Sequence, residues 1–424
     1  MRIRRLAGAA TTFAMVAIGA MASLPATAQA ATTPVAGTYT PLDPVRVLDT
    51  RDGTGVVEQH RGPLGARKVI ELHVAGTHGV PATGASAVVL NVTVTEAVGE
   101  GYVSVFPCGQ PLPTVSNVNW VRGKDKANLV TAKLGTDGDV CFYAYAPTQL
   151  IADLAGFYGD DLVTGIPGSR YVPTDPARIF DTRDGTGVAG QRRGPLGAGE
   201  VTELQITGAN GVPDTGVTAA ALNVTITDAR GDGYLTVFPC GQPVPTVSNV
   251  NYVAGKDVAN MVTVKVGAGG KVCFFAYAAT EIVADLNGYF VPGTTNDAID
   301  YFSVDPARVL DTRDGTGVDG LRRGPLGGGK IVELQVAGAN GVPDDARAVV
   351  LNVTVTDAVG FGYVTVFPCG RPLPAVSNLN YAAGEDVPNL VTVRIGDGGK
   401  VCMFTYRQTE VIADLFGYYA PHVA

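Results

Sequence analysis

The chain reads as an all-β protein of three tandem antiparallel β-sandwiches, jelly-roll or immunoglobulin-like, and three observations predict this. The first is an internal repeat. Asp49-Thr50-Arg51-Asp52-Gly53-Thr54-Gly55 recurs letter for letter at Asp181–Gly187 and Asp311–Gly317, in steps of 132 and 130 residues. A period of that length exceeds the roughly 20–50 residues of a solenoid or propeller unit, so each copy is domain-sized and can own a core. The second is period-two alternation between Gly- and Pro-rich turns, with no capped helical period. The third is one pair of cysteines per copy, always 33 residues apart.

The elements follow in chain order. Residues 1–30 form a secretory signal: Arg2, Arg4 and Arg5 precede an apolar stretch, and Ala28-Gln29-Ala30 is a small-residue cleavage pattern. Cleavage is expected to leave an exported chain without membrane insertion. The copies then run over residues 38–160, 170–292 and 300–420. Short joins of Gly, Pro, Thr and Asp separate them. In the first copy, strands are expected near Val45–Asp49, Val69–Val74, Ala87–Thr95 and Tyr102–Phe106. Four more are expected near Ser116–Val121, Leu129–Leu134, Val140–Ala144 and Leu150–Phe157. Turns such as Gly79-Val80-Pro81 and Thr136-Asp137-Gly138-Asp139 punctuate them.

Six cysteines allow fifteen pairings. The repeat favours Cys108–Cys141, Cys240–Cys273 and Cys369–Cys402, in keeping with an oxidising compartment. Zinc would need CxxC-like spacing or accompanying His, and neither repeats. Only 17% of residues are charged, and the net charge of −8 becomes −11 once the signal's arginines go. Such an acidic chain lacks the clustered Lys and Arg of a nucleic-acid binder.

Two constellations are candidates for function. One is the DTRDGTG corner. Arg46, Asp49, Arg51 and Asp153 recur as Arg178, Asp181, Arg183 and Asp285, then as Arg308, Asp311, Arg313 and Asp414. Asp153 sits in the apolar strand Leu150–Leu154, where an unpaired charge is costly, so a structural ion-pair corner is expected. Calcium is the competing use of these acids, but the spacing is not that of an EF-hand and Arg51 stands in the middle. No cofactor is therefore expected. The other constellation is a polar, uncharged sheet face. It comprises Asn91, Asn117 and Asn119, then Asn223, Asn249 and Asn251, then Asn352, Asn378 and Asn380, with Trp120, Tyr252 and Tyr381 beside them. Amides offer the donors and acceptors that a neutral glycan needs; the plain alternative is an ordinary solvated face. Catalysis has little support, because no histidine recurs between copies. A glycosidase using Asp52 with Asp153 would imply three tandem active sites.

Pro44–Gly55, Leu90–Thr95, Gly101–Pro107 and Ala152–Phe157, with their counterparts in the other copies, resemble a repeat module of secreted actinobacterial proteins. Its marks are a Pro-x-Arg-Val-Leu-Asp-Thr-Arg opening, a Leu-Asn-Val-Thr-Val-Thr strand, a Gly-Tyr-x-x-Val-Phe-Pro segment and an Ala-Asp-Leu-x-Gly-Tyr close. The resemblance covers nearly all of the mature chain and implies a cell-surface or wall-associated binding role. It carries over no catalytic residue. Such modules often accompany exported hydrolases, and this chain departs from the pattern in having no hydrolase domain. The expected function is thus multivalent, non-enzymatic binding of a cell-surface or environmental polysaccharide. An extracellular protein partner or spacer role is the runner-up, and glycoside hydrolysis comes third.

Overall fold

The computed structural model describes residues 36–56, 61–293, 298–318, 320 and 323–421. The secretory signal expected over residues 1–30 lies outside them. In copy 1 the strands are β1 (Ala36–Asp49), β2 (Lys68–His73), β3 (Ala85–Thr95), β4 (Gly101–Pro107), β5 (Val118–Trp120), β6 (Lys126–Lys133), β7 (Asp139–Ala144) and β8 (Gln149–Gly159). They pair as one long antiparallel ribbon would when rolled up: β1 with β8, β2 with β7, β3 with β6, and β4 with β5. Pairing of β8 with β3 and of β7 with β4 completes two sheets, ordered β1-β8-β3-β6 and β2-β7-β4-β5. That nesting is the jelly roll, so pairing decides between the two kinds of sandwich.

Copy 2 repeats it with β9 (Ser169–Asp181), β10 (Val201–Gln205), β11 (Ala219–Thr227), β12 (Gly233–Pro239), β13 (Val250–Tyr252), β14 (Val258–Lys265), β15 (Lys271–Ala276) and β16 (Glu281–Pro292). Copy 3 follows with β17 (Asp300–Asp311), β18 (Lys330–Gln335), β19 (Ala348–Thr356), β20 (Gly362–Pro368), β21 (Leu379–Tyr381), β22 (Val387–Arg394), β23 (Lys400–Thr405) and β24 (Glu410–Ala420).

All eight expected strands of copy 1 are present, but β1 begins nine residues before Val45. Pro41 and Pro44 make that stretch look like a loop. The chain resolves the conflict with a register shift between Pro41 and Val45, where the missing N–H groups interrupt the ladder. The extra length joins the copies. Ala36 and Gly37 of β1 pair with Phe302 and Tyr301 of β17, Tyr39 pairs with Ser169 of β9, and Tyr171 bridges to Ile299. The three inner sheets thereby merge into one twelve-stranded sheet around a pseudo-threefold axis.

Each sandwich has its own core. In copy 1, Leu90, Val92 and Val94 of β3 face Val103, Val105 and Phe142 of the outer sheet. A fourth core lies where the copies meet. It is built on Tyr39, Tyr171 and Tyr301 together with Tyr158, Phe290 and Tyr419. Their rings pack at 4.2–6.3 Å, distances at which aromatic pairs add about 0.5–1.5 kcal/mol each beyond burial. Strands β11 and β19 are consequently buried along their whole length, on both faces. Each copy thus keeps its own core and shares this fourth one within one compact unit.

Candidate functional site

The DTRDGTG segment is a tight turn at the end of β1. Gly53 N–H donates to the Asp49 carbonyl, and Asp49 N–H donates to the Thr54 carbonyl. Gly55 has φ +68°, and a Cβ there would lie 2.0 Å from the Val47 carbonyl oxygen, so only glycine fits. Arg51 grips Asp49 with Nε on Oδ1 at 2.9 Å and Nη2 on Oδ2 at 2.6 Å, while its backbone N–H donates to Oδ1 at 3.0 Å. Arg46 spans two acids, with Nε on Asp153 Oδ1 at 2.9 Å and Nη1 on Asp49 Oδ2 at 3.3 Å. Arg178, Asp181, Arg183 and Asp285 repeat the arrangement, as do Arg308, Asp311, Arg313 and Asp414. Burial disfavours the Asp49 charge, but the Arg51 hydrogen bonds and the two arginine charges outweigh it and hold the carboxyl below its usual range. At Asp153 burial wins over Arg46 and the carboxyl is pushed up. A cation approaching this loop finds both Asp49 oxygens already engaged by guanidinium, and Asp52 occupied as an acceptor for Thr54 N–H.

The asparagine face is not solvated, and this corrects the expectation of a polar face open to a glycan. Asn91, Asn223 and Asn352 are each 2% exposed or less, because the neighbouring copy's segment around Ser248, Ser377 or Ser116 lies across them. Asn91 Nδ2 donates to the Ser248 carbonyl at 2.5 Å, Asn223 Nδ2 to Ser377 at 2.7 Å, and Asn352 Nδ2 to Ser116 at 2.7 Å. The Ser248 backbone N–H also reaches Asp153, so the ion-pair corner belongs to the same joint. Asn117, Asn249 and Asn378 accept from the backbone N–H of Val105, Val237 and Val366 at 2.7 Å. They fix a bend and are not free to bind.

A second set of asparagines, missed in the sequence, closes the ring. Asn128, Asn260 and Asn389 donate to Asn352, Asn91 and Asn223 of another copy at 2.8–2.9 Å. Their Oδ1 atoms accept from Leu390, Leu129 and Met261 N–H, again in another copy. Their sequence signal is recurrence at one position of the sixth strand of each copy; a lone amide in an apolar strand carries no local sign that its partner lies in another copy.

Asn119, Asn251 and Asn380 have a different fate. With Trp120 and Tyr252 they line a cavity of about 430 Å³ where all three copies converge. Trp120, Tyr252 and Tyr381 are 4% exposed and pinned by hydrogen bonds to the Gly99, Ala278 and Arg407 carbonyls. Trp120 and Tyr252 are walls of the cavity, and none of the three is an open stacking platform. The Asn119 Oδ1 atom is buried with no hydrogen-bond partner among the described residues. Lys126 also lines this cavity.

Exposed aromatic surface lies instead on the outer sheets. Tyr102 stacks on Tyr145 at 5.2 Å and 17°, Tyr234 on Tyr277 at 5.0 Å and 21°, and Tyr363 on Tyr406 at 5.1 Å and 16°. Tyr145, Tyr277 and Tyr406 are 43%, 57% and 49% exposed. Arg67 and Arg407 sit over the Tyr145 and Tyr406 rings. The three expected disulfides are formed, at the far end of the same strands. Among the described residues no helix is long and apolar enough to cross a membrane.

No family model matches the chain, and no curated protein matches it. Solved structures that align along its length include an atomic structure of Sulfolobus turreted icosahedral virus. That one is 8% identical over 92% of each chain, with a TM-score of 0.18. Another is the triple jelly roll of an archaeal virus turret, 8% identical over 91% of this chain and 90% of that one, also at 0.18. Superposition this loose bears on no property of the chain.

Proposed function

We propose that this is an exported, non-enzymatic, multivalent binding protein for a cell-surface or environmental polysaccharide, which it engages through the three stacked tyrosine pairs. The observation that carries the reading is the repetition of one exposed aromatic pair, in one geometry, on three outer sheets. A phenol ring offers a flat apolar face for the C–H face of a sugar and a hydroxyl for its edge. Held on one body, three weak contacts gain avidity without any new interaction. A catalytic reading is less favoured because the Asp153 carboxylate, 3% exposed, has both oxygens on Arg46. A protein-docking role is the second reading, favoured by exposed Val98, Val359 and Phe361 on the turns after β3 and β19.

The test is retention of the whole chain on a panel of insoluble glycans. Tyr145→Ala, Tyr277→Ala and Tyr406→Ala, combined one, two and three at a time, are expected to weaken retention stepwise. Each exposed ring contributes about 0.5–1.5 kcal/mol by the usual size of an aromatic contact. Undiminished retention by the triple variant, or none by the parent, overturns the reading.

A further inference from the structure

The three tyrosine faces are not equivalent, and copy 3 departs from the others at the residues flanking its pair. Two residues ahead of Tyr102, Tyr234 and Tyr363 stand Glu100, Asp232 and Phe361, all exposed. Directly after Tyr145, Tyr277 and Tyr406 stand Ala146-Pro147, Ala278-Ala279 and Arg407-Gln408. Copy 3 thus has a third ring in place of an acid, and a cation and an amide in place of small apolar residues. These changes fall in one place. Tyr406 N–H donates to the Tyr363 carbonyl and Val359 N–H to the Gln408 carbonyl, so the turn bearing Phe361 lies against the turn bearing Arg407. Phe361 is 74% exposed and Tyr406 49%.

The charges around the pair set copy 3 apart. The exposed Arg407 guanidinium lies 5.4 Å from the Tyr406 ring centroid and forms no ion pair among the described residues. Lys256 of copy 2 lies 5.5 Å from the Phe361 centroid, and the acid beside it, Glu385 at 3.4 Å, is matched by that lysine. Asp357, in the turn before β20, acts on Arg313, as Glu96 and Asp228 act on Arg51 and Arg183 in the other copies. In copy 1 a cation also reaches the pair, Arg67 at 5.7 Å from the Tyr145 centroid, but Glu100 is present to offset it. Copy 2 presents Asp232 and, among the described residues, no cation over its rings. A planar guanidinium beside a ring face matches a carboxylate carried on a pyranose. We propose that copy 3 is selective for an acidic sugar of uronate type, the sugar's C–H face on the Tyr363–Tyr406 pair and its carboxylate on Arg407. This rests on the glycan-binding reading above and gives it a ligand charge and a dominant copy.

The probes are cross-linked polygalacturonate beads and the same beads methyl-esterified, which keeps the sugar and removes its charge. At physiological salt, where charges more than about 8 Å apart are screened, the whole chain is expected to bind the acid about fivefold more tightly, the upper worth of an exposed ion pair. The net charge of −8 opposes that preference, so only a local cation can supply it. Arg407→Ala installs the residue that copies 1 and 2 carry, and the Tyr381 bonds it keeps are to backbone. It is expected to bring binding of the acid down to that of the ester and to leave the ester unchanged. Arg67→Ala is expected to move the preference by less than about twofold. Equal binding of acid and ester by the parent, full preference in Arg407→Ala, or a preference abolished by Arg67→Ala overturns the proposal. Equal binding that still falls stepwise in the tyrosine variants sinks this inference and spares the tyrosine reading. An acid preference lost in Arg407→Ala but untouched by the triple tyrosine variant overturns the tyrosine reading itself.

Discussion

Arg46 is shared by two carboxylates whose environments push them in opposite directions. Asp49, Asp181 and Asp311 are held below their usual range, burial being outweighed by arginine. They add stability above the ordinary carboxylate range and lose it as the pH falls through the depressed value. Asp153, Asp285 and Asp414 are pushed up by burial. Their contribution is fully present below the unfolded value, near 4, and lost as pH rises through the raised one. The two sets offset each other in acid. Replacing Asp153, Asp285 and Asp414 together by Asn is expected to remove the offset, so that the urea midpoint falls more steeply between about pH 5 and 3 than in the parent. An unchanged slope would show that the second set titrates normally. Asn128 gives a sharper test, since its amide donates to Asn117 and Asn352 and accepts from Leu390 N–H. Asn128→Ala leaves those groups buried and unpaired, a loss of about 1–3 kcal/mol or more in urea unfolding. Asn128→Asp should be worse, because it sets an acceptor against two oxygens that need a donor.

At the scale of elements, the first and last strands of each copy are fitted together by one glycine. A Cβ at Gly156 of β8 would lie 2.5 Å from the Tyr39 hydroxyl and 2.6 Å from the Thr40 carbonyl oxygen. Gly288 and Gly417 meet Tyr171 and Tyr301 in the same way. The glycine of the Ala-Asp-Leu-x-Gly segment is thus the seat for a hub tyrosine. Gly156→Ala is expected to destabilise by about 1–3 kcal/mol as overpacking, read as a lowered melting temperature. A neutral substitution would mean that the hub is looser than its ring distances imply. The sequence made strands, turns and disulfide partners legible because each depends on local alternation, turn chemistry or a repeated spacing. It could not show the early start of β1, since Pro41 and Pro44 disguise a strand whose partners are more than a hundred residues away.

At the scale of the molecule, the joint is a cyclic, head-to-tail contact. Asn128, Asn260 and Asn389 each reach a different copy. So do the ion pairs Lys133–Asp305, Lys265–Asp43 and Arg394–Asp175. A contact of this kind closes on itself after three units, whether or not a linker joins them. Copy 1 alone, residues 36–159, is therefore expected to assemble as a homotrimer or to aggregate. A cooperatively folded monomer in light scattering and urea unfolding would contradict the shared core. The candidate site follows the same division. Asn119 and Trp120 were recognisable as a polar and an aromatic residue in adjacent positions. Their convergence with Asn251, Tyr252 and Asn380 at one cavity depends on the axis.

By itself, the sequence determined the threefold repeat, the sandwich class, the cysteine partners and the pairing of Arg with Asp at each corner, because these rest on short-range chemistry written three times. The tertiary structure alone decided what the polar faces are for. An alternating strand looks the same whether its second face meets water or another copy. Only packing around the axis turned Asn91, Asn223 and Asn352 inward as the joint, while Tyr145, Tyr277 and Tyr406 stay exposed on the outer sheets.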